Sequence, residues 1–266
     1  MKQPLICFMV GLSLAIHFTG CKPTSQTTGP TTLKNDYQAP PSFDTMEVRW
    51  DESQWPLSLN MSDVFTSTEQ KEIEQSFQLW KVEFPESSFV MDSLENAQLI
   101  IDPQFDDLDL YEDGVVGIYK KASWFPDLRS NILGITQYYG ERYINPEGNI
   151  YTIIHEADIF LNGQHFSFAS TWPPAINQYD LRTVVAHEWG HVLGLAHVQN
   201  PESLMYSSLG KREVKHSLNT EDRTEFHRYY RDEMQSHLFF QKLEKEQVDG
   251  MSLGKISFMR EIHPPL

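Results

Sequence analysis

The sequence predicts one α+β domain, and three observations carry that prediction. Two stretches, residues 67–80 and a second that starts near Asn177 or Asp180, repeat apolar side chains at helical spacing. Around them lie short runs rich in β-branched and aromatic residues, set off by turn formers. Only two cysteines, Cys7 and Cys21, occur among the 266 residues, so stability must come from a buried core rather than a disulfide framework.

In chain order, Met1-Lys2-Gln3 is a short positive segment, and residues 5–16 are an apolar run shorter than the roughly 20 residues that span a bilayer. Residues 1–20 therefore read as an export signal. Phe18-Thr19-Gly20-Cys21 resembles the lipobox of bacterial lipoproteins, with Phe18 in place of the usual Leu. That resemblance implies lipidation of Cys21 and a membrane anchor; ordinary signal cleavage is the alternative. Lys22, not Asp, follows the cysteine, which implies an outer-membrane address, with the periplasmic or cell-surface face left open. From Cys21 to residue 43 the composition turns to Pro, Thr, Ser, Gln and Gly, the makeup of a tether. A net charge of -16, from 21 basic and 37 acidic residues, sets the chain against nucleic acid as a partner.

The folded domain is expected over residues 44–231. Val48-Arg49-Trp50 and Pro56-Leu57-Ser58-Leu59 read as a first strand. Residues 67–80 read as a helix capped by Ser67 with Gln70 in the capping-box position, and Ile73, Phe77 and Trp80 form its core face. Phe89-Val90-Met91 and residues 97–101 read as short buried strands, residues 131–138 as another, and residues 150–161 as one more after the Asn145-Pro146-Glu147-Gly148 turn. In the second helix Leu181, Val184, Val185, Val192 and Leu195 form an apolar stripe, while Ala186 and Gly190 keep another side thin.

That helix carries His187-Glu188-Trp189-Gly190-His191-Val192-Leu193-Gly194-Leu195-Ala196-His197. Residues four apart stand one turn above each other, so His187 and His191 can aim at one point with Glu188 beside them. Gly194 can take a left-handed conformation that ends the helix and brings His197 to the same point. Three neutral imidazoles leave the fourth position of a tetrahedral zinc open, as catalysis requires. With Met205 eight residues after His197, the pattern resembles the metzincin zinc endopeptidases. The order strand, long helix, strand, strand, together with Tyr206 directly after Met205, is similar to the matrixins among them.

The resemblance implies a twisted, mostly parallel sheet with an antiparallel edge strand, one backing helix, one active-site helix and a C-terminal helix. It implies one catalytic Zn2+ on His187, His191 and His197, Glu188 as the catalytic base, and Met205 in a turn beneath the metal. It also implies a protein or peptide substrate that adds as a strand along the backbone of Leu133, Gly134 and Ile135. A non-catalytic surface binding protein on the same scaffold is the rival reading. Several family features are absent. Ser207-Ser208-Leu209 stands where matrixins usually carry the Pro-x-Tyr wall of the S1′ pocket, and no Cys lies in a Pro-Arg-Cys-Gly context that would support cysteine-switch latency. The structural zinc of many matrixins is not expected, because no His lies between His17 and His155.

Asp102, Asp106, Asp107, Asp109, Glu112 and Asp113 cluster before Gly114. Carboxylates suit Ca2+, but their spacing does not match an EF-hand, and a solvated acidic loop is the simpler reading. Leu218-Asn219-Thr220-Glu221-Asp222 matches the start of the last matrixin helix, with Asn219 and Asp222 placed to cap it. Beyond it, residues 232–266 are expected to be a helical extension to about Val248, stopped by Gly250, and a tail without a motif.

Overall fold

Alternating β-branched and aromatic residues from Ile150 onward build the strand on which the sheet assembles. The computed structural model describes residues 47–50, 57, 59–83, 97–144, 150–230 and 251–265. The expected export signal, Cys21, the tether, the strand at Phe89-Val90-Met91 and the helix through Val248 lie outside the described residues.

The described elements are β1 (Glu47–Trp50), β2 (Leu59–Ser62), α1 (Ser67–Lys81), β3 (Gln98–Ile100), a short 3-10 helix (Leu108–Tyr111), β4 (Val116–Lys121), β5 (Gly134–Ile144), β6 (Ile150–Asn162), β7 (Ser167–Ala169), β8 (Gln178–Asp180), α2 (Leu181–Val192), α3 (Thr220–Tyr230) and β9 (Met251–Ile262). Seven of the strands form one sheet with the path β3-β2-β4-β6-β5-β9, and β1 also pairs β6. β1, β2, β3, β4 and β6 are joined by parallel pairings, whereas β5 runs antiparallel to both β6 and β9. The mostly parallel sheet is as expected. The strand expected at the antiparallel edge, β5, is instead flanked on its outer side by β9.

Both faces of the sheet are buried, as a mostly parallel sheet requires. On one face α1 and α2 pack with Ile73, Phe77, Trp80, Val184, Val185 and Trp189 against Met61, Ile118, Tyr138, Ile159 and Leu161. On the other, Tyr111, Trp124, Phe125 and Ile132 cover Tyr119, Ile135, Tyr139 and Phe160. Adjacent residues Ile159 and Phe160 thus serve opposite cores, as the strand period dictates.

Four local expectations change. The N-cap of α1 is Thr66, one residue before Ser67, because Thr66 and Glu69 close a reciprocal capping box and Glu69 also meets Lys120 at 2.6 Å. The first strand is two strands, β1 on β6 and β2 on β4. Residues 97–101 are not buried: among the described residues β3 pairs β2 alone, and Leu99 and Ile101 are 57% and 81% exposed. The acidic stretch is not wholly solvated either. Asp102 is buried, takes hydrogen bonds from Tyr111 and Gln104, and faces the buried Lys121 amine, while Asp107 caps the 3-10 helix. No described helix is long and apolar enough to cross a membrane.

Candidate metal centre

Asp180 starts α2 by accepting hydrogen bonds from the Thr183 backbone N–H and hydroxyl at 2.8 and 2.7 Å. One turn apart on this helix, His187 and His191 are fully buried. After Val192 the chain reverses at Gly194, whose φ is +92° and where a Cβ would come within 3.0 Å of the Val48 carbonyl oxygen. The Gly194 N–H closes on the His191 carbonyl at 2.7 Å, and the turned chain delivers His197.

The three Nε2 atoms converge: His191 to His197 is 3.0 Å and His197 to His187 is 3.3 Å. Among the described residues this is the group of three or more His, Cys, Asp or Glu whose ligand atoms gather within 4.8 Å. Tetrahedral zinc–imidazole bonds would separate neighbouring nitrogens by roughly 3.3 Å, so the donor set fits that ion. Tautomers fit as well. His187 Nδ1 donates to the Leu204 carbonyl and His191 Nδ1 to the Leu195 carbonyl, each at 2.7 Å, which leaves both Nε2 lone pairs facing the common point. Burial holds the pKa of both rings well below the usual histidine value, with the neighbouring His197 acting in the same direction, so they remain neutral.

Glu188 is also fully buried, turned toward β5. Its Oε2 accepts the Thr136 hydroxyl at 2.7 Å, and its Oε1 has no protein partner. A Cβ on Gly134 would stand 3.1 Å from that oxygen, so the small residue keeps the space beside it clear. Burial pushes the Glu188 pKa up to about 8 against the lowering effect of the Thr136 hydrogen bond, and the Glu261 carboxylate adds to the rise.

Beneath the histidines Met205 is fully buried, and a Cβ on Gly190 would fall within 2.3 Å of its sulfur. The thin side of the helix therefore exists to admit this methionine. Asp222, the capping acid of α3, reaches back to the same loop: it accepts from Ser203 Oγ, the Leu204 N–H and the Met205 N–H at 2.5, 3.0 and 3.3 Å.

The structure thus brings together His187, Glu188, His191, His197 and Met205. Leu133, Gly134 and Ile135 lie at the start of β5, with the Leu133 N–H donating to the Ile262 carbonyl at 2.9 Å and Gly134 and Ile135 paired with Ile262 and Glu261. Of the acidic stretch, Glu112 bonds His155 at 3.0 Å and Asp113 accepts the Val115 N–H; these carboxylates do not gather into a ligand group. His165 bonds Asn162 at 3.0 Å. Sequence reasoning missed Thr136, although the strand period that puts Gly134, Thr136 and Tyr138 on one face was a usable signal.

The sheet, its two packed helices and a three-histidine cluster followed by a methionine turn define a metalloprotease-type domain. The matrixin family profile matches residues 49–231, and the chain belongs to the matrixin family. Part of it is similar to human matrix metalloproteinase-20, 52% identical over 42 residues that cover 16% of this chain and 9% of that protein. Human neutrophil collagenase is 44% identical over 59 residues, 22% of this chain and 13% of that one. Rat macrophage metalloelastase is 48% identical over 42 residues, 16% and 9% respectively. The chain thus aligns with about a tenth of the length of these relatives.

Proposed function

We propose that this chain is a zinc-dependent endopeptidase that hydrolyses peptide bonds in proteins. The observation that carries the proposal is the convergence of three imidazoles, with His197 Nε2 at 3.0 Å from that of His191 and 3.3 Å from that of His187, beside a buried carboxyl with one oxygen free. His187, His191 and His197 would hold zinc, which when bound supplies Lewis acidity toward the scissile carbonyl and lowers the pKa of water to about 7. Glu188 takes the proton of the attacking water on Oε1 and returns it to the leaving amine, while Thr136 fixes Oε2 and so orients the group. Apolar packing around α2 keeps bulk water from the carboxyl and both buried imidazoles.

We further propose that residues 1–20 direct export, that Cys21 carries a lipid, and that residues 21–43 tether the catalytic domain, residues 44–231, to an outer membrane. The lipobox-like Phe18-Thr19-Gly20-Cys21 and the Pro- and Thr-rich stretch after it support this reading. Calcium in the acidic loop is the weaker part of the cofactor proposal, since Asp102, Asp107 and Asp113 already serve protein donors there.

The test is zinc-loaded protein, with and without chelator, on a mixed peptide library. Chelator-sensitive cleavage is expected. Zinc-loaded protein that cleaves nothing, even after removal of residues 262–266, would favour a binding protein on this scaffold.

A further inference from the structure

Two backbone segments flank the metal-site residues. One is the start of β5, where a Cβ on Gly134 would stand 3.1 Å from Glu188 Oε1, with Leu133 just before it; the other is Ser207-Ser208-Leu209, just past Met205. The segment that leaves β9 lies between them and is hydrogen bonded to both. On the β5 side the Leu133 N–H donates to the Ile262 carbonyl at 2.9 Å. On the opposite side the His263 N–H donates to the Ser207 carbonyl at 3.0 Å and the Leu209 N–H to the His263 carbonyl at 2.8 Å. The segment runs antiparallel to β5 and parallel to Ser208. Main-chain bonding on both sides, with alternate side chains sent into pockets, is how a strand-adding peptide is bound.

The side chains agree with the backbone. Ile262 is 1% exposed and belongs to the main apolar core, so the groove contains an apolar pocket that a branched aliphatic residue fills. Glu261 is held at the surface by Arg129 at 2.6 Å and His263 at 3.1 Å. Upstream, Phe258 stacks on Tyr138 at 4.7 Å, and Arg260 Nη1 donates to the Leu195 and Gly194 carbonyls at 2.8 and 3.2 Å. β9 is therefore also anchored before residue 261, so its place in the sheet does not depend on residues 261–263 alone.

We propose that residues 261–263 are a built-in occupant of the substrate groove, which blocks the site in the intact chain and mimics its preferred substrates, extended peptides with a branched aliphatic residue where Ile262 sits. This rests on the endopeptidase reading above. The Leu133 N–H, Leu209 N–H and Ser207 carbonyl are all engaged by the segment, so an incoming peptide cannot use them until it leaves. A tethered segment meets its groove at an effective concentration on the order of millimolar. A peptide substrate of ordinary affinity competes poorly against that.

The experiment compares three zinc-loaded proteins: the intact chain, a chain ending at Glu261, and an intact chain carrying Ile262→Asp, which puts a charge into the apolar pocket. Both variants keep Phe258 and Arg260, and melting curves check that each is folded. On a quenched peptide at sub-saturating concentration, both should turn over about tenfold or more faster than the intact chain. In parallel, a fluorescent peptide of sequence 260–266 is titrated onto the truncated and intact chains, each carrying Glu188→Ala so that nothing is cleaved. Anisotropy should report binding to the truncated chain and little to the intact one. Equal turnover by all three proteins, or failure of the peptide to bind the truncated chain, overturns the proposal. If no protein cleaves anything but the peptide still binds only the truncated chain, groove occupancy stands and the endopeptidase reading falls.

Discussion

Replacing Asp222 with Ala tests how the methionine turn and the metal centre are connected. Asp222 is fully buried, and its two oxygens accept four donors: Ser203 Oγ, the Leu204 and Met205 N–H groups, and the Asn219 N–H at 2.9 Å. Met205 retains a second acceptor in Ser203 Oγ at 2.9 Å, so the donors that lose their acceptor in the core are the Leu204 N–H and the Ser203 hydroxyl. A buried unpaired donor costs about 1–3 kcal/mol, while Asn219 Oδ1 still caps the helix through the backbone N–H of residue 222. With the charged character of the bonds, a destabilisation of about 3–5 kcal/mol is expected. The effect should reach the metal, because the Leu204 carbonyl is what orients His187 through Nδ1. Loss of such a supporting contact typically weakens metal affinity about 10–100-fold. Urea unfolding of the metal-free protein gives the first number, and zinc competition against a chromophoric chelator gives the second. Asp222→Asn, which keeps one acceptor oxygen, should fall between Ala and wild type. An Ala variant that binds zinc as tightly as wild type would show that the turn holds His187 without Asp222, and the proposed connection would be wrong.

Four further outcomes are expected, three from the geometry and one from the proposed lipid anchor. His197→Ala should lose stoichiometric zinc in metal analysis, because two imidazoles remain of three; full occupancy would remove His197 from the ligand set. Glu188→Ala should keep zinc and melting temperature while peptide turnover falls by about two to four orders of magnitude, and unchanged turnover would refute its role as base. Burial raises the Glu156 pKa from the ordinary 4.5 to about 7, against hydrogen bonds from the Asp113 and Gly114 N–H groups, and Asp158 moves in the same direction. The folded state therefore holds a proton that the unfolded chain releases, and stability should fall by about 3 kcal/mol as pH rises from 4.5 through 7; urea midpoints that depend on pH just as strongly in Glu156→Gln would contradict this. Cys21→Ser should release the protein from membrane fractions, and unchanged partitioning would exclude the lipid anchor.

What was legible in the sequence was whatever depends on local spacing. The two histidines four apart, Glu188 between them and the turn glycine are consequences of helix geometry alone, and each falls where that geometry puts it. β6 was equally plain, since its alternation is long. The register of the α1 cap was not, because Thr66 with Glu69 and Ser67 with Gln70 both satisfy the same motif, and Lys120, 51 residues away, favours the first. β4 was hidden: the charged Lys120 and Lys121 interrupt its apolar pattern, yet Lys121 is buried against Tyr111, Asp102 and the Phe105 carbonyl. β9 was invisible for a related reason. Its Lys, Arg, Glu and Gly give no strand pattern, and it is a strand because β5 offers it eleven paired positions and because Tyr138 and the turn after α2 receive Phe258 and Arg260.

Two indoles grip α2 from outside: Trp80 Nε1 donates to the Ala186 carbonyl at 2.8 Å and Trp50 Nε1 to the Val192 carbonyl at 2.7 Å. Trp189 lies on the helix itself, its ring 4.5 Å from that of Phe77. Half of the six tryptophans in the chain therefore touch the segment that carries His187 and His191, and none precedes Trp50 in the sequence. The consequence is optical. Tryptophan emission, excited where tyrosine does not absorb, draws half of its sources from around the metal helix, so loading, stripping or unwinding of that helix can be followed by its own light, without a label and with no contribution from the residues before Trp50.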